Sequence, residues 1–128
     1  MARKIVLAIA SSLLLAGCAV GSTPDPAAVG PPPTDYRALI QSRIRAEFFD
    51  PYTMQDVWIS NPFQARLMFQ DGWMVCLRAN AKNRMGGYTG RQETGYLIRN
   101  NDVLVEGDQA QCPTATYTEW KEMENTGK

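Results

Sequence analysis

Apolar residues at Tyr36, Leu39, Ile40, Ile44 and Phe48 follow spacings of 3, 1, 4 and 4, which put them on one face of a helix. Arg37, Gln41, Arg43, Arg45 and Glu47 fall mostly on the opposite, solvated face. Thr34 or Asp35 can cap its start, and Asp50-Pro51 ends it, because proline disfavours helical geometry in the residue before it. The pattern then changes period. Gln55 to Ser60 is rich in β-branched and aromatic residues and predicts a strand, turned by Asn61-Pro62. Arg66–Gln70 and Trp73–Asn80 flank Asp71-Gly72, a strong two-residue hairpin signal. Alternation in the second run sets Trp73, Val75, Leu77 and Ala79 against the helix, with Met74, Cys76, Arg78 and Asn80 on the other face.

A second hairpin is predicted from Thr94–Arg99 and Val103–Glu106 around Asn100-Asn101-Asp102. Thr116-Tyr117-Thr118-Glu119 has the spacing of a capping box, and Tyr117, Trp120 and Met123 recur as in a short amphipathic helix. The expected fold is therefore α+β in two layers. An N-terminal helix packs on an antiparallel sheet of about four to five strands, followed by a short C-terminal helix, with one disulfide.

Ahead of the domain, Arg3 and Lys4 precede an apolar run from Ile5 to Leu15, shorter than the roughly 20 residues that span a bilayer. Leu15-Ala16-Gly17-Cys18 closes it. This stretch resembles the lipobox of bacterial lipoproteins. The resemblance implies removal of residues 1–17 and attachment of a thioether-linked diacylglycerol and an amide-linked fatty acid to Cys18. Several acyl chains at ~0.8 kcal/mol per buried CH₂ hold a protein stably. Ala19, rather than Asp, follows the cysteine, which resembles the pattern sorted to the outer membrane in Gram-negative bacteria. Residues 18–33 contain five prolines and no large aliphatic or aromatic cluster, so they read as an extended linker. Residues 34–124 form the expected globular domain, and 125–128 a disordered tail.

The chain carries 13 basic and 13 acidic side chains. Loss of Arg3 and Lys4 leaves 11 against 13, a net charge of −2, so no basic excess remains to hold nucleic acid or anionic lipid. With Cys18 assigned to lipid, Cys76 and Cys112 form an even pair in an exported domain, most simply a disulfide. Two free thiols are the alternative, although no C-x-x-C motif is present.

The stretch between the hairpins, residues 80–91, carries Lys82, Arg84 and Arg91 beside Gly86-Gly87. Here Phe49-Asp50-Pro51-Tyr52-Thr53, and then Val75-Cys76 followed by Asn80-Ala81-Lys82-Asn83 and Gly86-Gly87-Tyr88-Thr89-Gly90, resemble a family of small exported bacterial proteins with a helix, a D-P-x-[ST] step and an N-x-K-N-x-x-G-G-Y-x-G loop. The resemblance implies a fold and no activity. Physically, Lys82, Asn83, Arg84, Tyr88 and Arg91 suit contact with an anionic or glycan ligand, or with a partner. The same composition also suits a loop whose glycines permit positive φ and whose asparagines bond their own backbone.

No histidine occurs, so no Ser-His or Cys-His nucleophile can form, and metal-ligating residues are correspondingly few. Ser42 and Ser60 sit in no nucleophile motif, and only the carboxylates Asp50 with Asp56, or Glu93 with Glu106, leave acid–base chemistry open. The expectation is a non-catalytic, cofactor-free envelope module. It is anchored to the membrane through Cys18, faces the periplasm and binds or scaffolds another envelope protein. Recognition of an envelope ligand through residues 80–91 is the alternative, and inhibition of a lytic enzyme a third.

Overall fold

The computed structural model describes residues 23–107 and 111–126. The expected leader, Cys18 and the final two residues lie outside them. Helix α2 (Tyr36–Glu47) forms as its periodicity predicts: the Asp35 carboxylate accepts the Ala38 amide at 3.2 Å, and Ile40 and Ile44 are fully buried. Arg43 and Glu47 pair one turn apart at 2.9 Å.

The sheet is antiparallel and has six strands rather than four or five. They are β1 (Gln55–Ser60), β2 (Phe63–Leu67), β3 (Gln70–Lys82), β4 (Tyr88–Arg99), β5 (Asp102–Glu106) and β6 (Tyr117–Glu119). Their order is β5-β4-β3-β1-β6, with β2 paired to β3 in line beyond β1. Val75, Leu77 and Ala79 of β3 meet Ile40 and Ile44 in the main core, with Val57, Ile59, Tyr96 and Ile98 beside them. The other face is also covered. Met74, Cys76 and Leu97 form a second cluster with Cys112, and Cys76 is bonded to Cys112 with their Cα atoms 5.8 Å apart. Where β1 gives way to β2, Ser60 is wholly buried, and its Oγ accepts the Cys76 amide at 2.8 Å.

Several further expectations are corrected. The first hairpin turns at Met68-Phe69, not Asp71-Gly72: Leu67 pairs with Gln70, and φ is 48° and 64° at the two central residues. Asp71 is instead in strand, where its carboxylate receives Arg66 Nε and Nη2 at 2.7 and 2.8 Å. Gly72 is needed for close packing, since a Cβ there would lie 2.7 Å from the Ile98 carbonyl oxygen. A two-residue turn with both φ values positive favours Asn-Gly, and non-glycine residues there cost of the order of 1 kcal/mol or more each.

The C-terminal segment is not a helix. Tyr117–Glu119 pairs with Trp58–Ser60 as β6, followed by a single 3-10 turn (Lys121–Met123) that buries Trp120 and Met123 in the main core. Long-range pairing outcompetes a helical signal of barely two turns. Asn125 donates its amide to the Met54 carbonyl at 3.1 Å, so ordered contacts continue one residue into the segment expected to fray.

The linker is shorter than its prolines predict. Asp25 caps a one-turn helix, α1 (Pro26–Val29), Val29 is completely buried, and the Gly30 carbonyl accepts the Trp73 indole N–H at 3.2 Å. Trp73 is accordingly half-buried under this segment instead of under α2. Finally, the stretch 80–91 is mostly strand. Asn80 pairs with Arg91 and Lys82 with Tyr88, leaving only residues 83–87 as a turn.

Candidate functional site

The far end of the β3–β4 hairpin brings together two stretches separated by about thirty residues in the chain, Asp50–Asp56 and Asn80–Arg91. Tyr88 donates its hydroxyl to the Thr53 carbonyl at 2.8 Å, and Lys82 Nζ lies 3.7 Å from Asp50 and 5.4 Å from the centre of the Tyr88 ring. The Asp50 carboxylate also accepts the Thr53 hydroxyl at 2.7 Å and the Tyr52 amide at 3.3 Å. The Thr53 hydroxyl chiefly holds the Asp50 pKa below its ordinary value, helped by Tyr52 and Lys82.

Asp56 sits at a β-bulge, where the β1–β3 register shifts between Gln55 and Trp58, with φ of 53°. That conformation aims its carboxylate at both the Trp58 indole N–H, at 2.8 Å, and the Arg91 guanidinium, whose Nε lies at 2.7 Å. A second Arg91 nitrogen, Nη2, bonds the same oxygen. These donors, Trp58 first, lower the Asp56 pKa.

Asn83 is occupied within its own turn, its side-chain oxygen accepting the Met85 and Gly87 amides at 3.0 and 3.1 Å. Asn80 similarly accepts the Gly90 amide at 3.0 Å. Gly86 and Gly90 have φ near +80° and +88°, which glycine adopts without strain. Of the five residues singled out from the sequence, Lys82, Asn83, Tyr88 and Arg91 thus serve the fold of this end. Arg84 is exposed and enters no ion pair among the described residues.

The reading of residues 80–91 missed their acidic counterparts, Asp50 and Asp56, and an exposed apolar set at the same end. Phe49 is 61% exposed, Tyr52 45%, Met85 94% and Tyr88 40%. Arg45 lies 5.9 Å from the Tyr52 ring centre. Two successive phenylalanines at the end of α2 were the available signal: only Phe48 can continue the buried face, which leaves Phe49 to solvent.

The carboxylate pairs considered for acid–base chemistry are taken up by separate partners. Asp50 meets Thr53 and Lys82, whereas Asp56 meets Trp58 and Arg91. Glu93 bonds Arg78 and the Tyr117 hydroxyl, while Glu106 lies beside Glu47 and Arg43. Among the described residues no pocket opens, and no group of three His, Cys, Asp or Glu side chains is placed to hold a metal. What this end can do chemically is present aromatic, methionine and guanidinium groups to solvent. Compared with known proteins, the chain matches no family model, and neither a curated sequence nor a solved structure is similar to it.

Proposed function

We propose that this chain is a non-catalytic, lipid-anchored protein of the bacterial envelope, held through acylated Cys18 and facing the periplasm, and that it docks another envelope protein through the far end of the β3–β4 hairpin. The observation that carries the docking is the exposure of Phe49, Tyr52, Met85 and Tyr88 at one end of the sheet, with Arg84 among them. Aromatic residues, methionine and arginine are the types enriched in protein interfaces. Anion or glycan recognition has less support, because Asp50 and Asp56 already neutralise Lys82 and Arg91. The lipobox and the small residues before Cys18 support the anchor, and Ala19 supports the outer membrane.

In-membrane crosslinking from positions 49, 52 and 85, read by mass spectrometry, tests the docking. Discrete protein adducts that disappear in Phe49→Ala and Tyr52→Ala, with the melting temperature unchanged, are expected. Retention on peptidoglycan fragments that depends on Arg84, without protein adducts, would transfer the reading to a glycan ligand. For the anchor, Cys18→Ser should leave the leader uncleaved and the chain free of fatty acid.

A further inference from the structure

The opposite end of the same hairpin carries a second apolar feature with no role in the fold. Met68 and Phe69 form the β2–β3 turn, 71% and 100% exposed, and both hold positive φ. A turn of this geometry is best served by Asn-Gly, so bulky apolar residues here work against both solvation and backbone preference. Such a local conflict marks a contact outside the domain.

Its surroundings identify the contact. The amino-terminal segment joins the domain at this end: Gly30 receives the Trp73 indole, lies close to Asn100 in the β4–β5 turn, and follows α1, which packs on β2 and β3. Asp25 caps α1, so the chain is already fixed against β2 and β3 at that residue. Asp25 is only seven positions after Cys18, so the chain between them spans at most about 25 Å. An acyl group on Cys18 therefore confines this end of the domain close to the bilayer, whatever path residues 19–24 take. The other end of β3, a strand of 13 residues, is about 40 Å away.

We infer that Met68 and Phe69 insert into the interface of the membrane that holds the anchor, orienting the domain so that the β3–β4 end projects into the aqueous space. The inference rests on the anchoring stated under Proposed function. Phenylalanine and methionine enter the headgroup–acyl boundary readily, and an existing lipid anchor supplies the affinity that two side chains alone would not. The tip then has an orienting task rather than a binding one.

The test uses the full chain, acylated in cells and reconstituted into phosphatidylethanolamine–phosphatidylglycerol vesicles. Phe69→Cys and, separately, Met85→Cys carry an environment-sensitive nitrobenzoxadiazole label, with acylation of Cys18 checked by mass. The label at 69 should shift to the blue, gain intensity several-fold and be quenched by lipids bearing doxyl groups, while the label at 85 stays aqueous. Equal aqueous signals on an acylated chain overturn this inference and leave the anchor standing. A blue shift without doxyl quenching means a protein contact, such as a second copy, and also overturns it. An unacylated chain overturns both. A second variant, Met68→Asn with Phe69→Gly, should melt at a higher temperature than the parent, and a lower one would show that the pair serves the fold instead.

Discussion

Arg91 reaches across 35 residues of chain to hold Asp56 through two of its nitrogens, and that pairing turns a cationic stretch into an internal brace. The pair is largely exposed, at 53% and 42% of side-chain surface, so its net contribution to stability is small, within about 1 kcal/mol. Arg91→Ala should therefore lower stability only slightly. Tyr88→Phe loses the bond to the Thr53 carbonyl and should cost about 1 kcal/mol, while Arg84→Ala stays within about 0.5 kcal/mol of the parent. Urea unfolding of the three variants separates brace from surface.

Ser60→Ala removes the acceptor for a buried amide. The Cys76 N–H lies where β1 passes into β2 and donates to the buried Ser60 Oγ at 2.8 Å. Leaving it unpaired costs roughly 1–3 kcal/mol. Denaturant midpoints should fall without a change in slope.

Gly72→Ala tests the displaced turn. A methyl group there meets the Ile98 carbonyl at 2.7 Å and the Leu97 side chain at 3.1 Å. The β3–β4 ladder must part to admit it, at roughly 1–3 kcal/mol. Were Gly72 in the turn itself, the same change would act through φ, and the amide exchange of Ile98 and its neighbours would be unaffected. Faster exchange along β3 and β4 is expected.

The disulfide closes a loop of sequence separation 36 and should contribute roughly 4 kcal/mol through restriction of the unfolded chain. Unreduced protein should offer no alkylatable thiol from Cys76 or Cys112. Reductant should slow its migration in a denaturing gel and lower its melting temperature.

Acid should destabilise the domain through its aspartates. Asp50, Asp56 and Asp71 all titrate below their ordinary value, Asp71 chiefly because Arg66 bonds its carboxylate. A depressed folded pKa gives a contribution present above the unfolded value, about pH 4, and lost as pH falls through the folded one. Asp71→Asn should therefore melt below the parent near neutrality, and the difference should close under acid. Glu106 has the opposite sign: its hydrogen bond with Glu47 raises its pKa, with burial adding to the effect. Its contribution is present below the unfolded value and lost as pH rises through the raised one. Glu106→Gln should thus flatten the loss on the neutral side, as read from melting temperature against pH.

Local chemistry was legible wherever it depended on near neighbours. Asp35 and the Ile40–Ile44 stripe specified α2, alternation placed Val75, Leu77 and Ala79 beneath it, and an even pair of cysteines pointed to the bond between Cys76 and Cys112. The Asn100-Asn101 turn was legible too, since asparagine tolerates the positive φ found there. Met68-Phe69 was not, because its residues oppose the turn they form and Asp71-Gly72 beside them imitates one.

Periodicity, capping and cysteine parity thus determined the helix, the core-facing side of β3 and the disulfide, because each is decided by spacings along the chain. Only tertiary structure decided that Tyr117–Glu119 becomes a sixth strand, that Val29 docks a proline-rich segment, and that Asp50 and Asp56 meet Lys82 and Arg91. Those outcomes depend on which distant segments share an edge or an end of the sheet. Pairing of that kind leaves no period in the sequence to read.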